Sequence, residues 1–147
     1  MGRTREKGFT LAEIMIVLAI LGLLMGAAIP NLLRSRVNAG EVAAINNCRT
    51  IGTGCSLFYT QSHPHAYPEI LGDLTSAAPP YLDSVLGSGE KQGYRFFYSR
   101  LDSEHFELRA HPTSPGRSGN RFFFLDQTGV LRVGASASVG PADPAVE

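Results

Sequence analysis

With 147 residues, the chain can form one modest domain plus an appendage. Its 13 basic and 13 acidic residues balance, so there is no positive surplus for a nucleic-acid backbone, whose binding is largely electrostatic. Nucleic acid is therefore not expected as a partner.

Met1–Lys7 is a short basic head carrying Arg3, Arg5 and Lys7. After Gly8 an apolar run begins at Phe9 and continues almost unbroken to Pro30, with one carboxylate, Glu13, inside it. Positions 9–33 number 25 residues, against about 20 needed to span a bilayer as a helix. Ile14–Ile29 holds no charge and is apolar around its whole circumference. A charge in such a segment costs roughly 2.5–3.5 kcal/mol at a helix centre, so Glu13 reads as functional by default; its place near one end lowers that cost. Arg34 and Arg36 follow the span, so the positive-inside count favours a cytoplasmic N-terminus only slightly. Pro30 lacks an N–H and its ring crowds the preceding turn, which predicts a kink. Gly22 and Gly26 lie two turns and one turn upstream, making positions 22–30 the softest part of the helix.

The string Gly8-Phe9-Thr10-Leu11-Ala12-Glu13-Ile14 resembles the class III signal sequence of type IV pilins and type II secretion pseudopilins. The resemblance implies that a prepilin peptidase cuts between Gly8 and Phe9 and that the new Phe9 amine is methylated. Glu13, the fifth residue of the mature chain, is then the assembly glutamate, acting with Phe9. Residues 1–8 become a leader peptide, removing three basic side chains and one acidic, so that 10 basic and 12 acidic remain. The segment from Gly22 to Pro30 can, by the same resemblance, lose helical structure on assembly. The implied partners are identical or related pilin subunits, prepilin peptidase, an inner-membrane assembly platform and, before assembly, membrane lipid. The implied location is the inner membrane, as a single-pass precursor with a cytoplasmic leader and a periplasmic C-terminal domain. A periplasmic pseudopilus or an extracellular pilus follows. The small C-terminal region and the absence of a Cys pair near the C-terminus lean towards the pseudopilus.

Past Pro30 the pattern becomes one-sided. Leu33, Val37, Gly40, Ala44, Cys48, Ile51, Cys55 and Phe58 recur at steps of three and four, predicting a second helical half over 34–60 with one buried face. Arg34, Arg36, Asn38, Glu41, Asn46, Asn47, Arg49 and Thr53 lie between them. Cys48 and Cys55 are seven positions apart, roughly 10 Å along a helix, too far for a mutual disulfide. They are either small buried groups or sites of an intermolecular bridge. Residues 61–92 read as a Pro- and Gly-punctuated connector with short helical turns near Glu69–Thr75 and Pro80–Leu86.

Residues 93–133 read as an antiparallel sheet of three to four strands, at Gly93–Arg100, His105–His111, Arg121–Leu125 and Val130–Val133. Tyr94, Phe96 and Tyr98 share one face, as do Phe106, Leu108 and Ala110. Phe97 and Phe123 are expected on the face opposite Phe96, Phe122 and Phe124, as candidate exposed subunit contacts. Residues 134–147 read as a loose tail. The fold class is α+β, a long N-terminal helix packed on a small meander, which is also the pilin architecture the resemblance implies.

No catalytic set, metal site or cofactor is expected, and the chain is read as a non-enzyme. His63-Pro64-His65 has only Glu69 nearby, His105 and His111 sit at strand ends, and no Gly-rich phosphate loop follows a strand. Pseudopilins often hold calcium in the C-terminal region, but the turn Asp126-Gln127-Thr128-Gly129 already explains Asp126. The rival reading is a conventionally secreted or membrane-anchored periplasmic domain, with a hydrophobic signal core at Ile14–Met25 and cleavage near Gly26–Ala28. Glu13, at the start of that core, argues against it.

Overall fold

The computed structural model describes residues 8–146. Its elements are helix α1 (Leu11–Gln61), two short helices α2 (Leu71–Ser76) and α3 (Ser84–Gly87), and five strands: β1 (Glu90–Lys91), β2 (Tyr94–Arg100), β3 (Phe106–Pro112), β4 (Phe122–Asp126) and β5 (Arg132–Gly134). The chain divides between Ser35 and Arg36 into two compact units. In the first, the helix continues through Pro30, so the lost backbone bond does not end it. Its side chains are exposed throughout.

In the second unit one face of α1 is buried, at Glu41, Ala44, Asn47, Cys48, Ile51, Gly54 and Cys55. The expected apolar stripe is there, with two polar additions. Glu41 is 5% exposed, and its carboxylate accepts from Arg121 Nε (2.6 Å) and the backbone N–H of Asn120 (2.9 Å). Asn47 donates to Gln92 Oε1 (3.2 Å). Glu41 lies three positions before Ala44, on the stripe itself, and its charge had placed it on the solvent side. The pairing explains its burial, since a buried charge without a partner is strongly destabilising.

The five strands form one antiparallel meander in the order β1-β2-β3-β4-β5. Five strands replace the three to four expected. The addition is β1, joined to β2 by a two-residue turn in which Gln92 (φ 52°) and Gly93 (φ 80°) both take positive φ. That turn type requires positive φ at both central residues, which Asn-Gly signals far better than Gln-Gly.

The expected exposure of Phe123 is corrected. Ala110 pairs with Phe123 and Leu108 with Leu125, so those four share the inward face and Phe123 is fully buried. Phe124 therefore points outward, yet is 1% exposed. The Arg109 guanidinium lies over its ring, 5.6 Å from the centroid, and Arg109 Nε donates to the carbonyl of Val139, itself buried. The tail is thus not loose over 139–146. Val133 N donates to Pro144 O (3.0 Å), Val146 N to Leu131 O (2.7 Å), and Ala145 bridges Arg132. Phe97 does stay half-exposed, as expected.

The core gathers the α1 stripe, connector anchors such as Leu71, Leu74, Leu82 and Leu86, and the inward sheet face, including Tyr94, Phe96, Phe106 and Leu108. Two glycines are required by close approach. A Cβ at Gly40 would collide with the Ser118 carbonyl, and one at Gly119 with the Tyr94 hydroxyl, so the 113–121 loop lies directly on α1 and β2. Phe123→Ala should cost about 3–5 kcal/mol of stability, whereas Phe97→Ala should cost about 1 kcal/mol or less. Chemical denaturation of the two variants measures the difference; equal losses would contradict this assignment of faces.

Candidate processing and assembly site

Gly8, Phe9 and Thr10 precede the first helical residue, Leu11, and all three are exposed, Phe9 by 83%. Nothing lies within 4 Å of where a Gly8 Cβ would be. The expected basic head, Arg3, Arg5 and Lys7, falls outside the described residues.

Thr10 and Glu13 close the N-terminus of α1 reciprocally. Glu13 N donates to Thr10 Oγ1 (3.2 Å), while Thr10 N and Thr10 Oγ1 donate to Glu13 Oε2 (3.2 and 3.3 Å). Ile14 N donates to Thr10 O (3.3 Å), the first bond of the helix. This is a capping box, which satisfies backbone donors that a helix otherwise leaves bare at its start. It also sets a carboxylate at the positive end of the helix dipole, a placement typically worth about 0.3–1 kcal/mol. The Thr-x-x-Glu spacing at 10–13 is the sequence signal of such a box, and the charge of Glu13 within an apolar run masks it.

Beyond this turn the segment offers no polar chemistry. From Leu11 to Ile29 every residue but Glu13 is uncharged, and an 18-residue window has a mean hydropathy of 2.5 with none of it buried by the protein. Gly22, Gly26 and Pro30 sit in this exposed helical stretch, and a Cβ at either glycine would enter open space. Length and composition suffice to cross a membrane.

The other candidates are used locally. The His63 and His65 rings lie 5.1 Å apart, but His65 Nδ1 is 2.9 Å from Tyr59 O and its ring stacks on Tyr59. Among the described residues no three His, Cys, Asp or Glu side chains cluster as metal ligands would. Asp126 accepts from the Thr128 backbone N–H (2.9 Å) and the Thr128 hydroxyl, both at Oδ1, so that oxygen serves the turn. His105 pairs with Asp102 (2.8 Å), whose carboxyl is held below its ordinary value mainly by the Glu104 N–H. His111 lies between the Phe97 and Phe122 rings, and its pKa is pushed down by burial and by Arg109.

Residues 3–29 match the family model of the prokaryotic N-terminal methylation motif. The type II secretion system core protein G of Aeromonas hydrophila is 38% identical over 121 residues, covering 81% of this chain and 80% of its own length. This chain belongs to the type IV pilin and type II secretion pseudopilin family. The core protein G of Dickeya chrysanthemi is 42% identical over 118 residues, 78% of this chain and 72% of that protein. The type IV major pilin protein PilA of Myxococcus xanthus is 37% identical over 100 residues. The pilin-family chain described here spans 41% of PilA's length, with 68% of its own residues aligned. No solved structure matches. Members of the family are structural filament subunits, and the long helix with its antiparallel sheet is the family's fold.

Cys48 and Cys55 are free and fully buried in this pilin-like core, and burial pushes each thiol up to about 12. The folded state therefore holds these protons more tightly than the unfolded one. The stability this brings is complete below the ordinary value of 9.0 and is lost as pH rises towards about 12. At pH 8 the folded protein should resist alkylation by iodoacetamide at both thiols, and denaturant should expose both. Rapid labelling of the native protein would contradict the burial.

Proposed function

We propose that this chain is made as a prepilin, cut between Gly8 and Phe9 by prepilin peptidase and N-methylated at Phe9. It then polymerises from the inner membrane as a subunit of a type II secretion pseudopilus. The observation that carries the reading is the capped, fully exposed apolar stretch from Leu11 to Ile29, interrupted by Glu13 alone. The similarity to two core G proteins over about four-fifths of the chain supports the secretion assignment. A second reading, an extracellular pilus, is favoured by the similarity to PilA.

The chemistry follows from Glu13. Cleavage creates an amine at Phe9, four positions before the carboxylate, and methylation leaves that amine positively charged. Two unit charges about 4 Å apart at an effective dielectric of about 20 attract by about 4 kcal/mol. That is comparable with the roughly 2.5–3.5 kcal/mol cost of a charge at mid-membrane, so pairing decides whether Glu13 is tolerated in apolar surroundings. Within one molecule the pair is four positions apart, with Phe9 just before the Thr10 cap. Between stacked molecules, Glu13 of one subunit faces the Phe9 amine of the next and fixes axial register. Such a contact joins two different surfaces, so it repeats into an open filament. Lipid surrounds the segment from Phe9 to Leu33 before assembly, the assembly platform extracts it, and neighbouring subunits replace the lipid. The unit from Arg36 onward lies in the periplasm, and softening between Gly22 and Pro30 eases the helix into the filament.

Intact mass and N-terminal sequencing of the mature protein test the processing step. The expected chain begins with N-methyl-Phe9. A chain beginning near Ala27 or Ile29 would establish a conventional secretory leader and remove the filament reading.

A further inference from the structure

One face of α1 in the second unit is built like a contact surface. Val42, Asn46, Arg49, Thr53, Leu57 and Thr60 follow at steps of three and four, all exposed, so they form one stripe away from the core. Val42 and Leu57 are 55% and 46% exposed. The hydroxyls on and beside the stripe are spent on the helix itself. Thr50, Thr53, Ser56 and Thr60 donate to the carbonyls of Asn46, Arg49, Gly52 and Leu57 at 2.8–3.0 Å. With those donors engaged, desolvating this face leaves few polar groups unsatisfied. Arg49 is the one charge on the stripe, and no ion-pair or hydrogen-bond partner for its side chain occurs among the described residues. It stands between two grooves of about 430 and 390 Å³, one walled by Leu125, Asp126 and Gln127, the other by Leu57 and Tyr81; Asp126 shares the first groove but makes no ion pair with Arg49.

The complementary group is at the β2–β3 hairpin tip. In the second unit the described carboxylates are engaged by cations, by His105 or by backbone N–H groups, with the exception of Glu104. Beside it, Leu101 is 60% exposed. The tip is already ordered: Leu101 N donates to His105 O, Glu104 N to Asp102 Oδ1, and Tyr67 N to Ser103 O, at 2.7–3.0 Å. A preorganised loop loses little entropy on docking. Within one molecule the tip is anchored well along α1 from Arg49. Tyr67, which holds the tip, packs on Tyr59 (ring centroids 4.8 Å), ten residues or roughly 15 Å along α1 from Arg49.

We infer that the Leu101–His105 tip of one copy of this chain docks on the Val42–Thr60 stripe of a second copy, with Glu104 against Arg49 and Leu101 in an adjoining groove. The charges are complementary, and the axial offset makes the contact head-to-tail, the kind that propagates rather than closes. The inference rests on the filament reading and adds a second, water-facing contact to the one at Glu13.

The test uses the full chain expressed with its assembly machinery. Arg49→Glu and Glu104→Arg should each lower filament yield about tenfold by opposing like charges, and the combined swap should restore most of it. Both side chains are exposed, so the fold should tolerate the changes. Separately, Arg49→Cys with Glu104→Cys should give oxidised dimers and ladders in filaments that neither single variant gives; the buried native thiols stay silent. Full yield from either charge variant, no recovery in the swap, or filaments without ladders would overturn the contact. A correctly processed wild-type chain that never forms filaments would instead remove the filament reading.

Discussion

Glu13 is a carboxylate in a helix whose neighbours from Leu11 to Ile29 are all uncharged, and the chain itself buries none of them. Apolar surface on that scale must be taken out of water by something else. At roughly 25 cal/mol per Å² the drive to cover it is large and unspecific. Lipid can satisfy it, and so can other copies of the same helix. In the proposed filament the carboxylate is what tells those two surroundings apart, because lipid leaves it only its own Phe9 amine whereas a processed neighbour adds a second. The Thr10–Glu13 capping box adds that the same carboxylate also starts the helix.

From Arg36 onward the helix obeys a different constraint, since water is available and only one face needs cover. Ala44, Cys48, Ile51 and Cys55 supply that face, and the inward sides of β2, β3 and β4 close over it. Glu41, held by Arg121 and Asn120, ties the 113–121 loop to the same face. On the opposite face Arg49, without a partner among the described residues, stands between two grooves. One helix thus carries an apolar segment first and then, on opposite faces of its second half, a core stripe and the proposed contact stripe; the sheet covers the core stripe.

The apolar run, the one-sided stripe and the β2–β3 hairpin could be read directly from residue spacing, because each obeys one period over many residues. The readings that failed depended on partners. Glu41 looked solvent-facing until Arg121, 80 positions away, proved to pair with it. Phe123 looked exposed because three consecutive Phe residues in 122–124 leave the alternation without a phase, and only the Ala110 pairing sets it. β1 depended on positive φ at Gln92, a residue type that seldom announces such a turn. The tail looked loose by composition, yet the Val139 carbonyl accepts from Arg109 on the outer sheet face and Val146 packs on the core beside Leu131. At the N-terminus, Gly8, Phe9 and Glu13 stood out in sequence, while the role of Thr10 needed the cap geometry.

The central claim is that Glu13 governs assembly and not insertion. The most direct measurement is to express Glu13→Ala beside the wild type and compare, in the same cells, the amount of chain in the inner membrane with the amount in filaments. Normal membrane levels with filaments largely lost is the predicted result. A normal filament yield from Glu13→Ala would contradict it.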